Sequence, residues 1–410
     1  MPEAASAAFS FPSNHETPMQ DPLSYQVALP TRLRFGPGAS DTLAQEAALL
    51  GGNAFVLLDP FLKSSALEGA LVASLSAAGV RTNLWHEIVP NPRAATCNSA
   101  AAKARDLGVD LVIAIGGGST IDAAKAVSLG ITNGGDVWDF TSRRNAQVRV
   151  PEKRGLPLIA VPTNAGTGAE ITPFAVLSSP ERKLKATIIH PFCYPDVALV
   201  DPNLHLTKPR RLTASTGIDT FLHAFEGFIG TRPNGWTDVF SIRAMELVAA
   251  HLPTACDNPD DLSARVSMAE ACYMAGITLG NIGVGIPHAL GQAMGALKDT
   301  PHGESCAACL VPTVRWTLPV AEERLARVSA IFDPSCAGRP VADASQMLPS
   351  ILETFMNSIG LTGGFEQLGL SRDEIEPLID IATTNYGQDV GCSRRAAGHE
   401  DLRQIVLNSL

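Results

Sequence analysis

Asp219 and His223 stand four residues apart in RLTASTGIDTFLHAFEGFIG (211–230), a spacing that on a helix projects both side chains from one face, about one turn apart. Farther along, His288 and His302 belong to GIPHALGQAMGALKDTPHG, the first near the start of a helical stretch and the second in a Pro-His-Gly turn. One carboxylate with three imidazoles suits iron(II) or zinc better than magnesium or calcium, which prefer oxygen donors. Singly, an Asp/His pair also serves as a surface or capping pair, and Pro-His-Gly as a plain turn. Together they offer a place for a divalent ion that polarises a hydroxyl or carbonyl oxygen.

A second constellation is built for an anion. Gly116-Gly117-Gly118-Ser119 follows the apolar run LVIAI (111–115) and opens TIDAAKAVSL. Exposed backbone N–H groups and a helix N-terminus thus converge on one point, which favours a phosphate or pyrophosphate, and glycine lets the backbone approach it closely. The motif is neither GxGxxG nor a P-loop, and a tight turn required for strand–helix packing would use the same residues. Asp122, in the first turns of that helix, is counted with the cofactor residues. Asp59 ends an earlier strand, where a carboxylate accepts hydrogen bonds from a ribose 2′-hydroxyl and repels a 2′-phosphate, favouring NAD over NADP; an Asp before Pro60 is also a common turn start. The segment PTNAGTGAE (162–170), after LPLIAV, offers further hydroxyls and amides.

These groups need rigid elements to hold them. From Arg32 to about Asp201, short β-rich runs alternate with Ala-rich stretches: AFVLLD (54–59), LVIAI and LPLIAVP (156–162) as strands, SSALEGALVASLSAAG (64–79) and NSAAAKARDLG (98–108) as helices. The alternation predicts a mostly parallel α/β sheet with strands buried on both faces. Beyond Asp201 helical patterns take over, including 211–230, 237–252 and 262–280, and the class changes near residue 203. The expected organisation is a flexible tail over 1–24, an α/β dinucleotide-binding domain over 25–203 and an all-α metal-binding domain over 204–410.

Composition narrows the function. Of 410 residues, 45% are hydrophobic and 18% charged, a balance for large buried cores. A net charge of −10 disfavours a nucleic-acid binder; Lys208, Arg210 and Arg211 read as a solvated helix start. No apolar run long enough for a membrane span is present, and the N-terminus lacks the features of a secretory signal, so a cytoplasmic location is expected. Eight scattered cysteines read as reduced thiols. Cys306-Ala-Ala-Cys309, without a second pair and within an apolar run, reads as buried helix packing.

In GGGSTIDAAKAV (116–127), PTNAGTGAE (162–170), DPNLHLTKPRRLTASTGIDTFLHAFE (201–226) and HALGQAMGALKDTPHG (288–303), in that order, the chain resembles the iron-containing alcohol dehydrogenases, from about Tyr25 to its C-terminus. VPNP (89–92) is similar to a family segment near the cofactor. The resemblance implies that Gly116, Gly117, Gly118 and Ser119 hold a pyrophosphate, that Thr163 and Thr167 line the cofactor cleft, and that Asp219, His223, His288 and His302 bind iron(II), or zinc. It also implies a small alcohol or aldehyde as substrate, hydride exchange with a nicotinamide between two domains, and a homodimer. One position departs: many members carry a further histidine where this chain has Gln292, which can orient water or substrate but cannot take up a proton. CSRRAAG (392–398) also differs from the usual C-terminal pattern. Two related chemistries compete: a metal-free reductase like maleylacetate reductase, against which the intact ligand set speaks, and a lyase like dehydroquinate synthase, which needs a basic cluster not found beside the ligands.

Overall fold

The computed structural model describes residues 24–143, 146–182, 184–206 and 208–410; the expected tail, apart from its last residue, lies outside them. The first half contains β1 (Arg32–Phe35), α1 (Leu43–Leu50), β2 (Asn53–Leu58), α2 (Ala66–Ala77), β3 (Arg81–Trp85), α3 (Ala94–Asp106), β4 (Leu111–Gly116), α4 (Gly118–Asn133), β5 (Thr141–Ser142), β6 (Leu158–Pro162), β7 (Phe174–Ser179), β8 (Leu184–Ile189) and β9 (Val197–Val200). Six strands form one parallel sheet in the order β1-β9-β6-β4-β2-β3. Every residue of β2 and of β4 is buried, because α1 and α2 cover one face and α3 and α4 the other.

The strand order reverses between β2 and β4. Crossovers leave in opposite directions at such a point and open a crevice beyond the carboxyl ends of the two strands. Asp59 follows β2, and its N–H donates to Ile115 O at the end of β4 (2.9 Å); the glycine loop follows β4 itself. The two cofactor signals found far apart in sequence therefore meet at the switch point.

A small sheet, β5-β8-β7, was not anticipated. Its pairings are antiparallel, and β7 alternates partly exposed with buried residues, the mark of a strand with one face on the core. Two further differences concern helix ends. α3 begins at Ala94 rather than 98, and the helix expected over 237–252 runs from Gly235 to Asp257.

After β9 the chain is helical: α5 (Arg210–Ile229), α6 (Gly235–Asp257), α7 (Leu262–Ile282), α8 (Ile286–Lys298), α9 (His302–Ala308), α10 (Leu310–Phe332), α11 (Val341–Ser358), α12 (Ile375–Asn385), α13 (Gly387–Gly391) and α14 (His399–Leu407). α5 is its axis, buried without interruption from Gly217 to Ile229. Such a helix has no solvent face, so any polar group on it needs an internal partner. The two arginines at its start are not simply solvated: Arg210 pairs with Asp257 and with the Ser358 and Ile359 carbonyls, and Arg211 pairs with Glu304 of α9. No helix among the described residues is long and apolar enough to cross a membrane.

Candidate active site

Asp219 and His223 face inward from α5, His288 lies in the first turn of α8, and His302 begins α9. The three Nε2 atoms converge on one oxygen: His223, His288 and His302 lie 3.8, 3.4 and 3.7 Å from Asp219 Oδ1. The His223 and His288 rings stack at 4.6 Å, and His302 meets His288 edge-on at 5.3 Å. Donor atoms held tetrahedrally at about 2.1 Å from one ion stand about 3.4 Å from each other, close to the distances that separate Asp219 from each of the three imidazoles. Asp219 Oδ1 and His288 Nε2 are buried and lack hydrogen-bond partners. A buried acceptor left unpaired is costly, and a divalent ion between the two would satisfy both.

Glu226, two turns along α5 from Asp219, explains why His288 presents Nε2. Its Oε1 lies 2.6 Å from His288 Nδ1, and its Oε2 accepts the Gly285 N–H at 2.5 Å. The carboxylate thereby places the imidazole proton on Nδ1, leaves Nε2 free for a metal, and lies at the positive N-terminus of α8. No role was assigned to Glu226 from the sequence, although Asp219, His223 and Glu226 form an i, i+4, i+7 stripe that pointed to it.

The electrostatics also call for a cation. Burial lowers His223 and His302 to about 4, leaving both imidazoles neutral near pH 7. Burial pushes the Asp219 carboxyl upward, but His223, His302 and His288 outweigh it and hold the group well below the usual carboxylate range. Burial opposes protonation of His288 too, yet Glu226 and Asp219 raise it to about 10.

Close helix approach fixes this geometry. A Cβ on Gly303 would lie 2.0 Å from the Ser215 carbonyl oxygen of α5, and one on Gly291 would lie 2.4 Å from Cys306 Sγ of α9. Only glycine lets α9 settle against α5 and α8 so that His302 reaches Asp219. Cys306, expected as buried packing, is packed against the centre. Its sulfur is 3.8 Å from His302 Nδ1, and it belongs with Asp219, His288 and His302 to a group whose donor atoms lie within 4.8 Å of one another.

This centre opens into a cleft of about 260 Å³ between the sheet and the helices. Gly118, Ser119, Asp122 and Thr167 line it, with Gln292 beside the histidines. Gly116, Gly117 and Thr163 lie outside the lining, Thr163 donating its N–H to Gly116 O at 2.9 Å. Asp59 is likewise outside it, its Oδ1 accepting from Phe61 N–H at 3.0 Å. Asp122 Oδ2 accepts the Val176 N–H at 3.1 Å, and burial raises its pKa to about 6. The structure adds Asn91 of the VPNP segment: its N–H donates to Ser119 Oγ (3.3 Å) and its Oδ1 accepts from Lys185 Nζ (2.8 Å). It also adds Asp389 and Cys392 from the C-terminal segment.

Comparison with known proteins gives the family. The chain is 32% identical over 93% of its length to the NAD-dependent methanol dehydrogenase of Bacillus methanolicus, 99% of which is covered. A halo-thermophilic archaeal alcohol dehydrogenase from a Red Sea brine pool superposes with a TM-score of 0.88 at 28% identity, over 94% of this chain and 99% of that one. Sulfoacetaldehyde reductase from Bifidobacterium kashiwanohense, solved with NAD+, gives 0.82 at 25% identity over 94% and 98%. Family models described as iron-containing alcohol dehydrogenase and as the C-terminal part of that family match residues 30–202 and 213–409. The chain belongs to the iron-containing alcohol dehydrogenase family and is a metal-dependent alcohol dehydrogenase or aldehyde reductase that uses a nicotinamide dinucleotide.

Proposed function

We propose that Asp219, His223, His288 and His302 hold a single iron(II), and that the cleft beside them exchanges hydride between a small alcohol or aldehyde and NAD. The observation that carries the ligand assignment is the buried, unpartnered pair Asp219 Oδ1 and His288 Nε2, 3.4 Å apart, with two more imidazole nitrogens aimed at the same oxygen. When bound, the metal supplies Lewis acidity toward the substrate oxygen and the nicotinamide supplies the hydride acceptor. The preference for iron over zinc follows the family, since the donor set suits both.

The chain's own groups do the rest. Glu226 fixes the His288 ring. The N-terminus of α4, from Gly116 to Ser119, holds the pyrophosphate through backbone amides, with Asp122, Thr163 and Thr167 beside it. Asp59 at the switch point receives the ribose hydroxyls and disfavours a 2′-phosphate, which makes NAD the cofactor. Gln292 hydrogen-bonds substrate or water, and the proton released leaves through water or a cofactor hydroxyl because an amide cannot accept it. We assign the cofactor domain to 25–203 and the metal domain to 204–410, supported by the end of β9 at Val200 and the start of α5 at Arg210. A cytoplasmic homodimer accords with the family, and sedimentation tests the stoichiometry.

The direct test is NADH formation by anaerobically purified protein, stripped with chelator and reloaded with iron(II) or zinc, on primary alcohols, diols and hydroxy acids. Turnover is expected to vanish on stripping and return with metal. Turnover that survives complete stripping overturns the four-ligand assignment.

A further inference from the structure

Resting on that reading of the cleft, we infer that Lys125 is a positioning residue for the reaction: its ammonium hangs β7, one wall of the cleft, on the cofactor helix α4 and supplies the counter-charge of Asp122. β7 is the edge strand of its sheet, in the order β5-β8-β7. The backbone groups on its outer side therefore need partners from elsewhere, and a helix laid along the edge is one way to supply them. α4 does so with two side chains, Asp122 and Lys125, three residues apart and on one helical face. Asp122 Oδ2 accepts the Val176 N–H at 3.1 Å. Lys125 Nζ donates to Phe174 O at 2.7 Å, to Thr172 O at 2.9 Å and to Thr172 Oγ1 at 3.4 Å. The next outward amide, that of Ser178, donates to Pro92 O of the VPNP segment at 2.8 Å.

Three acceptors around one Nζ match an ammonium, which has three N–H donors, better than a neutral amine, which has two. Lys125 is 1% exposed. Burial lowers its pKa, and Asp122, Cys193 and Glu170 hold it up. Burial in turn raises Asp122 to about 6, with Lys125 and the Val176 N–H opposing the rise. The other titratable groups facing the pair are two thiols and one carboxyl. Cys97 of α3 and Cys193 after β8 are pushed up to about 12, chiefly by burial, and are neutral; Glu170, raised to about 7 by burial, faces Lys125. The clamped segment is the wall itself, since Thr172, Phe174 and Val176 line the cleft together with Asp122, Gly118 and Ser119. The helix whose N-terminus receives the pyrophosphate thus also sets where this wall stands. Without the Lys125 charge, Asp122 takes up a proton at higher pH, and a neutral carboxyl holds the Val176 N–H more weakly.

The experiment measures the pH dependence of kcat/KM for NAD, which reports groups of the free enzyme, on metal-loaded wild type, Lys125→Met and Asp122→Asn. Fluorescence titration with NADH at the high-pH plateau runs beside it. Wild type is expected to lose activity as pH falls through about 6. In Lys125→Met that acid limb moves up by about one unit or more, because the nearby cation is gone; in Asp122→Asn it disappears, because an amide does not titrate. NADH affinity of Lys125→Met is expected to stay within about threefold of wild type, since the amides at the start of α4 are untouched. A loss of folded protein lowers the yield but does not move the limb, and if Lys125→Met fails to fold, Lys125→Gln, which keeps an N–H donor without the charge, takes its place. An acid limb that stays put in the Lys125 variant, a limb that persists in Asp122→Asn, or NADH affinity lost together with turnover each overturns the inference. If metal-loaded wild type neither binds NADH nor oxidises any alcohol, the dehydrogenase reading of the cleft fails first and the role of Lys125 with it.

Discussion

Replacing Glu226 with Gln tests whether the metal centre depends on a group that does not touch the metal. The carboxylate accepts from His288 Nδ1 at 2.6 Å and, through its other oxygen, from the Gly285 N–H at 2.5 Å and more distantly the His288 N–H at 3.5 Å. Glutamine keeps one oxygen and substitutes an NH2 for the other. If the amide oxygen faces His288, the NH2 confronts the Gly285 N–H, leaving two buried donors opposed at about 1–3 kcal/mol. If the amide is flipped, the NH2 donates to Nδ1 and drives the imidazole proton to Nε2, where it must be removed before metal binds. Both routes predict a 10- to 100-fold loss of affinity, the usual effect of losing such a partner, or about 1.4–2.7 kcal/mol. Competition with a chromophoric chelator, using zinc to avoid oxidation, measures it directly. Binding by Glu226→Gln within twofold of wild type refutes the argument that Glu226 sets the tautomer of His288.

Four further outcomes follow from the same geometry. Gly303→Ala puts a Cβ against the Ser215 carbonyl, so α9 must shift and carry His302 with it; metal content after purification should drop, at a fold cost of about 1–3 kcal/mol in urea unfolding. Cys306→Ala should retain stoichiometric metal, because the four-ligand set is complete without the thiol and burial, reinforced by Asp219 and Glu226, disfavours a thiolate there; loss of metal on this substitution would promote Cys306 to a ligand. Asp59→Ala removes the repulsion toward a 2′-phosphate and should raise the NADP-to-NAD ratio of kcat/KM by about tenfold or more. His205 is buried and lowered from 6.5 to about 4 chiefly by that burial, so between those values the unfolded chain takes up a proton that the folded chain refuses. Its contribution, about 3 kcal/mol, is present in full above pH 6.5 and lost as pH falls toward 4. His205→Asn should flatten the wild-type loss of stability between pH 7 and 5, and identical slopes for the two proteins would count against it.

What the sequence made legible was local. A continuous apolar run such as LVIAI reads as a doubly covered strand because burial on both faces leaves no polar positions, and a glycine-rich turn before a helix reads as an anion site because amides and helix dipole add within a few residues. Asp219 and His223 were visible as a pair for the same reason, their partnership being set by helix geometry alone. The small antiparallel sheet was missed where that logic weakens: β7 is six residues of half-buried alternation, and its pairing with β8 is recognisable only once the helical face that both cover exists.

The groups that tune the centre join parts of the chain that no local pattern relates. Glu226 meets His288 across 62 residues, Lys185 meets Asn91 across 94, and Gln292 meets Asp389 across 97. In each case one partner is an ordinary polar residue whose meaning comes from being buried opposite the other, and burial of that kind is a property of packed helices rather than of composition. Gln292 shows the consequence most clearly. Taken alone it marks only a lost proton acceptor, whereas in the fold it donates to Asp389 of α13 in the wall of the cleft. A change that abolishes acid–base capacity at one position of the cleft thus leaves an ionisable group one side chain farther from the metal ligands, legible only once α13 is packed on α8.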